Sequence, residues 1–214
     1  MTKQASTFDP ERQHDSATAK IVASLDRIGQ ALRSLLWDQT RATGLSPIQI
    51  QLLVHLRYHG LSQSRVGDLA RQFDVTPATI SEALSTLVDK KLVEKRQDPS
   101  DGRARVLALT NDGRRRAEDL GTWATSVEVY LKALPEGEAI TVMRVLMGII
   151  ERLQRDGVVS VARMCSTCTY FENHSGGREQ CPYYCSLLNK SLAERELRFD
   201  CPEHEQKVDG ASSD

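Results

Sequence analysis

Cysteine is absent from the first 164 residues of this 214-residue chain; all five cysteines fall between Cys165 and Cys201. That excludes a disulfide framework for most of the molecule, and the odd count argues against one in the remainder. Aromatic residues make up only 5% of the chain, so the core must be built chiefly from aliphatic side chains, which suits helices better than strands. No apolar run approaches the roughly 20 residues that a membrane span needs. The polar start, Met1 to Asp15, holds no segment of the signal-peptide kind, and a cytoplasmic protein is expected. There is no phosphate-binding glycine loop, nucleotide fingerprint or serine-centred hydrolase elbow. A non-enzyme is expected.

A large surplus of positive charge is also missing, since the formal net charge is −1. Contact with a polyanion depends on a local face, not on the sum. Between Lys90 and Arg116 there are nine Lys or Arg against four Asp or Glu. Charge alone leaves a solvated surface and a nucleic-acid contact equally open. The position of this stretch decides between them.

Ala17 to Gln39 carries Ile21, Leu25, Ile28, Leu32 and Leu35/Leu36 at spacings of three and four, which predicts a long amphipathic helix. Gly44 ends it, and Ser46-Pro47 opens a second helix with Ile50, Leu53, Val54 and Leu56 inward. A short helix over Ser64 to Phe73 comes next. After Asp74-Val75, Thr76-Pro77 opens a helix to about Lys90 that buries Ile80, Leu84, Leu87 and Val88. Leu92–Arg96 and Arg105–Leu109 read as two strands around the turn Asp98-Pro99-Ser100-Asp101-Gly102, a β-hairpin. Helices from Gly113 to Leu134 and from Glu138 to Arg155 complete this part. Val158 to Met164 reads as a linker.

Helix, short helix, turn, helix and hairpin is the order of a winged helix-turn-helix. The second helix of the pair must present small polar groups near its start to enter a major groove. Thr76, Pro77, Thr79, Ser81, Glu82 and Ser85 stand opposite the apolar face. In the hairpin, Arg103 is the best candidate for a minor-groove or phosphate contact, with Arg96 and Arg105 flanking it.

The run Asp74-Val75-Thr76-Pro77-Ala78-Thr79-Ile80-Ser81, continued by Leu87-Val88-Asp89-Lys90-Lys91-Leu92-Val93-Glu94-Lys95-Arg96, resembles the MarR family of bacterial regulators. The wing Asp98-Pro99-Ser100-Asp101-Gly102-Arg103 and the stretch Leu109-Thr110-Asn111-Asp112-Gly113 extend the resemblance, which covers roughly Ala17 to Arg155. It implies a homodimer joined through its first and last helices, binding a pseudo-palindromic double-stranded DNA operator. It also implies control by a small-molecule effector, a metal or oxidation. Two positions depart from the family pattern. Gly102-Arg103 stands where two adjacent arginines are usual, and Glu82 where a base is common. A glutamate there repels phosphate but can accept a hydrogen bond from cytosine.

The cysteines are spaced Cys165-x2-Cys168-x12-Cys181-x3-Cys185-x15-Cys201. A C-x-x-C pair lets two thiolates bind one metal, and more distant cysteines complete four-fold ligation. The expected ligands are Cys165, Cys168, Cys185 and Cys201, with Cys181 as the alternative. His174 and His204 are weaker candidates. Zinc is the default metal. Cys181-Pro182 and Cys201-Pro202 resemble the Cys-Pro ending of ferredoxin motifs and keep an iron–sulfur cluster open as the alternative. A metal-free thiol switch is a third possibility. The segment has few large apolar residues and needs a staple to fold.

The expected class is therefore mostly α with a small β-hairpin wing: a winged helix-turn-helix flanked by dimerisation helices, plus a small cysteine-rich C-terminal module. Residues 1–16 are expected to be disordered, 17–156 to form the regulator domain, 157–204 the metal-binding module and 205–214 a disordered tail. The leading function is a sequence-specific, homodimeric transcription regulator, with repression expected and its DNA binding tuned by the metal or redox centre. Competing readings are a metal or thiol redox enzyme on a helical scaffold, and a tail that docks another protein.

Overall fold

The computed structural model describes residues 6–59, 64–97, 105–173 and 181–207. The chain begins with a short helix, α1 (Pro10–Asp15), whose first turn is capped by the Asp9 carboxylate accepting from the Glu11 amide. The expectation of disorder over 1–16 is corrected from Pro10 onward: an N-cap, a proline at the first helical position and Glu11 in the first turn all favour a helix start. Ser16 then caps α2 (Ala17–Thr43), and Gly44, at φ 67, closes it in the left-handed region that glycine adopts without strain.

α3 (Pro47–Tyr58) starts with a capping box in which Ser46 and Gln49 satisfy each other's amides. Such caps are worth about 0.5–2 kcal/mol. α4 (Val66–Gln72) and α5 (Pro77–Asp89) come next, then the antiparallel strands β1 (Val93–Gln97) and β2 (Arg105–Leu109), paired from Val93↔Leu109 to Gln97↔Arg105. Ile50, Leu52, Leu53, Leu69, Ile80, Leu84, Leu87, Val93 and Leu120 form the buried centre. Each fully buried aliphatic side chain contributes about 1.5–3 kcal/mol.

The helix expected over Gly113 to Leu134 is two helices, α6 (Asn111–Leu120) and α7 (Thr125–Lys132). Gly121 is a poor helix former. Beside it the Thr122 hydroxyl donates to the Asp119 carbonyl at 2.8 Å, a local bond that competes with the helical ladder. Trp123 then packs against the main core.

α8 (Glu136–Arg155) has apolar residues on two sides. Met143, Met147 and Ile150 pack against Ala162 and Met164, while Val142, Val145 and Leu146 are exposed. The segment 158–164 is therefore not a loose linker. Met164 is fully buried and anchors the cysteine-bearing segment to α8.

Beyond it lie a 3₁₀ turn (Cys165–Thr167), three short antiparallel strands, β3 (Phe171–Asn173), β4 (Tyr183–Cys185) and β5 (Lys190–Leu192), in that order, and a second 3₁₀ turn (Glu194–Glu196). The expected disorder from 205 is corrected for its first three residues. The Glu205 carbonyl accepts from the Thr169 amide at 2.9 Å, the Lys207 amide donates to the Thr167 carbonyl at 3.0 Å, and Gln206 bridges Cys168. Among the described residues no helix is long and apolar enough to cross a membrane.

Candidate functional site

α5 is cut cleanly in two by its sequence. Ile80, Ala83, Leu84 and Leu87 are buried, while Thr76, Pro77, Thr79, Ser81, Glu82 and Ser85 are all exposed. Thr76 is the N-cap: its hydroxyl accepts from the Thr79 amide at 3.1 Å and lies 2.9 Å from the Thr79 hydroxyl. The outward face is thus short, polar and held by a rigid core beneath it, which is what a helix inserted into a groove requires.

In the hairpin, Arg105 is exposed at the start of β2, opposite Gln97. Arg96 is exposed too, but its guanidinium is paired with Glu94, with Nε donating at 2.8 Å. A phosphate would have to compete with that carboxylate. Arg103 and the wing turn at 98–102 lie outside the described residues.

Gly113 is only one letter of a family-like run in the sequence, and the structure gives it a task. A Cβ built there would stand 1.9 Å from the Leu92 carbonyl oxygen. The root of the hairpin is pinned at this point: the Thr110 amide donates to that same oxygen at 3.1 Å, and the Thr110 hydroxyl caps α6 through the Gly113 amide.

The C-terminal module grips the winged helix from the same chain at two places. The Ser160 amide donates to Asp74 in the turn between α4 and α5 at 3.2 Å. Asp74 itself sits at φ 50, a conformation aspartate tolerates better than most residues. Asp200 lies between His59, just past α3, and Arg163, at 2.6 and 2.7 Å. His59 Nε2 donates to the Asp200 carboxylate, and Nδ1 to the His55 carbonyl at 2.9 Å. Both partners can only accept, so this geometry favours the protonated ring. The hydrogen bond to Asp200 raises the His59 pKa above its usual value. Burial works to raise Asp200, but the hydrogen bonds from His59 and Arg163 outweigh it and hold the carboxyl well below the usual carboxylate range.

A raised histidine pKa gives stability that is complete below the unfolded value, about 6.5, and lost as pH rises through the folded one. Replacement His59→Gln is therefore expected to cost about 1 kcal/mol near pH 6, allowing for partial solvent screening. The difference should vanish at alkaline pH, where native and variant melting temperatures should converge. Neither His59 nor Asp200 has a sequence signature, because they are 141 residues apart and meet only in the fold.

All five cysteines are free thiols. Cys165, Cys168, Cys185 and Cys201 line one cavity of about 80 Å³ together with Phe171, Leu188, Leu192, Lys190, Glu196 and Arg198. Cys181 is not among the lining residues. His204 contacts the Thr167 hydroxyl at 2.9 Å and also stands apart from the cavity, while His174 lies outside the described residues. Burial raises the Cys165 thiol pKa, the Arg198 amide partly offsets this at 3.2 Å, and the other three thiols add to the rise.

The family model for the MarR family matches residues 43–104, the segment that runs from the end of α2 into the wing. This segment is similar to the MarR family. The HTH-type transcriptional repressor MdtR of Bacillus subtilis (strain 168) is 22% identical over 143 residues, covering 66% of this chain and 91% of that protein. Among solved structures, the S. aureus MepR–DNA complex is 21% identical with TM-score 0.53, covering 62% of this chain and 97% of that one. CouR from Rhodococcus jostii RHA1, bound to p-coumaroyl-CoA, is 22% identical with TM-score 0.53, covering 63% and 94%. The likeness to these two structures is one of fold. The alignments leave about a third of this chain uncovered.

Proposed function

We propose that the protein is a homodimeric, sequence-specific DNA-binding transcription regulator, acting as a repressor, whose cysteine module modulates DNA binding. The single observation that carries the reading is the exposed polar face of α5, set on an apolar back as the second helix of a helix-turn-helix. Two relatives, one a transcriptional repressor and one solved in complex with DNA, agree with it. A small-molecule effector belongs to the same reading.

Dimerisation follows from faces that one chain leaves uncovered. Ile21, Val22, Leu25 and Ile28 on α2 and Val142, Val145 and Leu146 on α8 are exposed. Long helices with apolar stripes call for a partner, and a second copy joined through a two-fold axis supplies matching stripes. Two recognition helices about 34–36 Å apart would then read successive major grooves. The module touches the winged helix at Asp74 and His59, on either side of α4. A change in its packing would shift α5 relative to its twin, and half-site spacing tolerates little of that.

The test is a mobility shift on DNA upstream of the protein's own gene, titrated with salt. Affinity should fall steeply as salt rises. Arg105→Ala should weaken binding to all sequences and reduce the salt slope by about one. Ser81→Ala should instead change sequence preference, costing about 1–3 kcal/mol on the preferred site alone. No retardation of specific over random DNA would sink the reading.

A further inference from the structure

We propose that the cavity walled by Cys165, Cys168, Cys185 and Cys201 holds an iron–sulfur cluster ligated by those four thiolates. This concerns what the modulating module contains, and its ligation stands whether or not the regulator reading does.

Three segments distant in sequence deliver the thiols: the 3₁₀ turn and the residue that caps it bring Cys165 and Cys168, β4 brings Cys185, and the loop after the last turn brings Cys201. Bringing four thiols to one pocket, without a disulfide among them, points to a common ligand. The choice of ligand rests on how they are disposed. Tetrahedral zinc at about 2.3 Å from each sulfur would require the thiols to crowd one point, with no volume between them. Here they line, with six other residues, a space of about 80 Å³, several times the roughly 10–15 Å³ that a single water needs. Among the described residues, no three His, Cys, Asp or Glu side chains stand close enough together to hold one metal ion. A group that has volume of its own and takes four cysteines meets both conditions, and iron–sulfur clusters are such groups.

The walls fit the same occupant. Phe171, Leu188 and Leu192 supply an apolar part of the wall, beside Lys190, Glu196 and Arg198. The Arg198 amide donates to Cys165 Sγ at 3.2 Å, and its guanidinium reaches Cys201 Sγ at 3.6 Å. Hydrogen bonds to the ligating sulfurs, together with a cation beside them, stabilise the negative charge of a thiolate-ligated cluster and tune its potential. The module also lacks a core of its own, having three strands of three residues each. A bound cluster would serve as that core.

The full-length protein purified without oxygen, or reconstituted with ferrous iron and sulfide, should be coloured, with broad visible bands. Iron and acid-labile sulfide should be equimolar, at two or four of each per chain, the count distinguishing the two cluster types. Cys168→Ser and Cys185→Ser should each lose the colour and the bound iron, while Cys181→Ser keeps both. Helical circular dichroism would check that each variant has kept its winged-helix domain. A colourless protein with one zinc per chain overturns the proposal, as does one that takes up no iron and sulfide on reconstitution. Loss of the cluster in Cys181→Ser overturns the assignment of ligands. A protein that holds the cluster but ignores DNA would overturn the regulator reading and leave this one standing.

Discussion

If the proposed dimer pairs through α2, Leu25→Asp is expected to give a folded monomer and lower operator affinity by about 10²–10⁴-fold, the advantage that linked half-site binding confers. Leu25 sits in the middle of the exposed stripe Ile21, Val22, Leu25 and Ile28 on α2. In a two-fold interface each substitution is met twice, and each places a carboxylate where apolar surface should be buried. The monomer should survive, because the main core is built chiefly from α3 to α6 with the hairpin, α2 adds only Leu36 to its buried residues, and Leu25 is not part of it. Sedimentation velocity and a mobility shift on the same sample would check this. A variant that remains dimeric, with unchanged affinity, would place the dimer interface elsewhere.

Gly113→Ala is expected to destabilise the winged helix by about 1–3 kcal/mol, the usual cost of overpacking, and to lower the melting temperature by about 2–12 °C. The added methyl would fall 1.9 Å from the Leu92 carbonyl oxygen and 2.9 Å from its carbon. That backbone has little freedom to yield. The Leu92 amide is bonded to the Leu87 carbonyl at 2.9 Å, and the Leu92 oxygen takes the Thr110 amide. Because β1 starts at Val93 and β2 ends at Leu109, the strain falls on the root of the wing. Gly137→Ala makes the control. Its Cβ would meet nothing within 4 Å in the first turn of α8, so it should be neutral or stabilising by up to about 1 kcal/mol. Thermal melts of the two variants beside the parent would decide. Equal melting temperatures would mean that the close approach at Leu92 is not maintained in solution.

Much of the winged helix could be read before folding was considered. The caps Ser46 and Thr76 are local signals. Local steric and hydrogen-bonding rules act within four residues, so they survive transfer to the tertiary structure. Local and tertiary forces disagree in two places. A helix drawn through Gly121 and Thr122 ignored a hydroxyl that bonds back to Asp119 and a tryptophan drawn into the core. A linker drawn over 158–164 missed that Ala162 and Met164 complete the apolar side of α8.

The cysteine spacing and its confinement to one end are properties of the chain alone, as is the polar face of α5 opposite its apolar stripe. Both come from residue order, because helical period and motif spacing need no distant partner. Tertiary structure decided how four of the thiols are disposed around a shared volume, and that the module is tied through Asp200 to His59 and through Ser160 to Asp74. It also decided which apolar stripes the chain covers and which it leaves exposed. The reason is physical: these features depend on distances between segments far apart in sequence, and such distances are set by how the whole core packs.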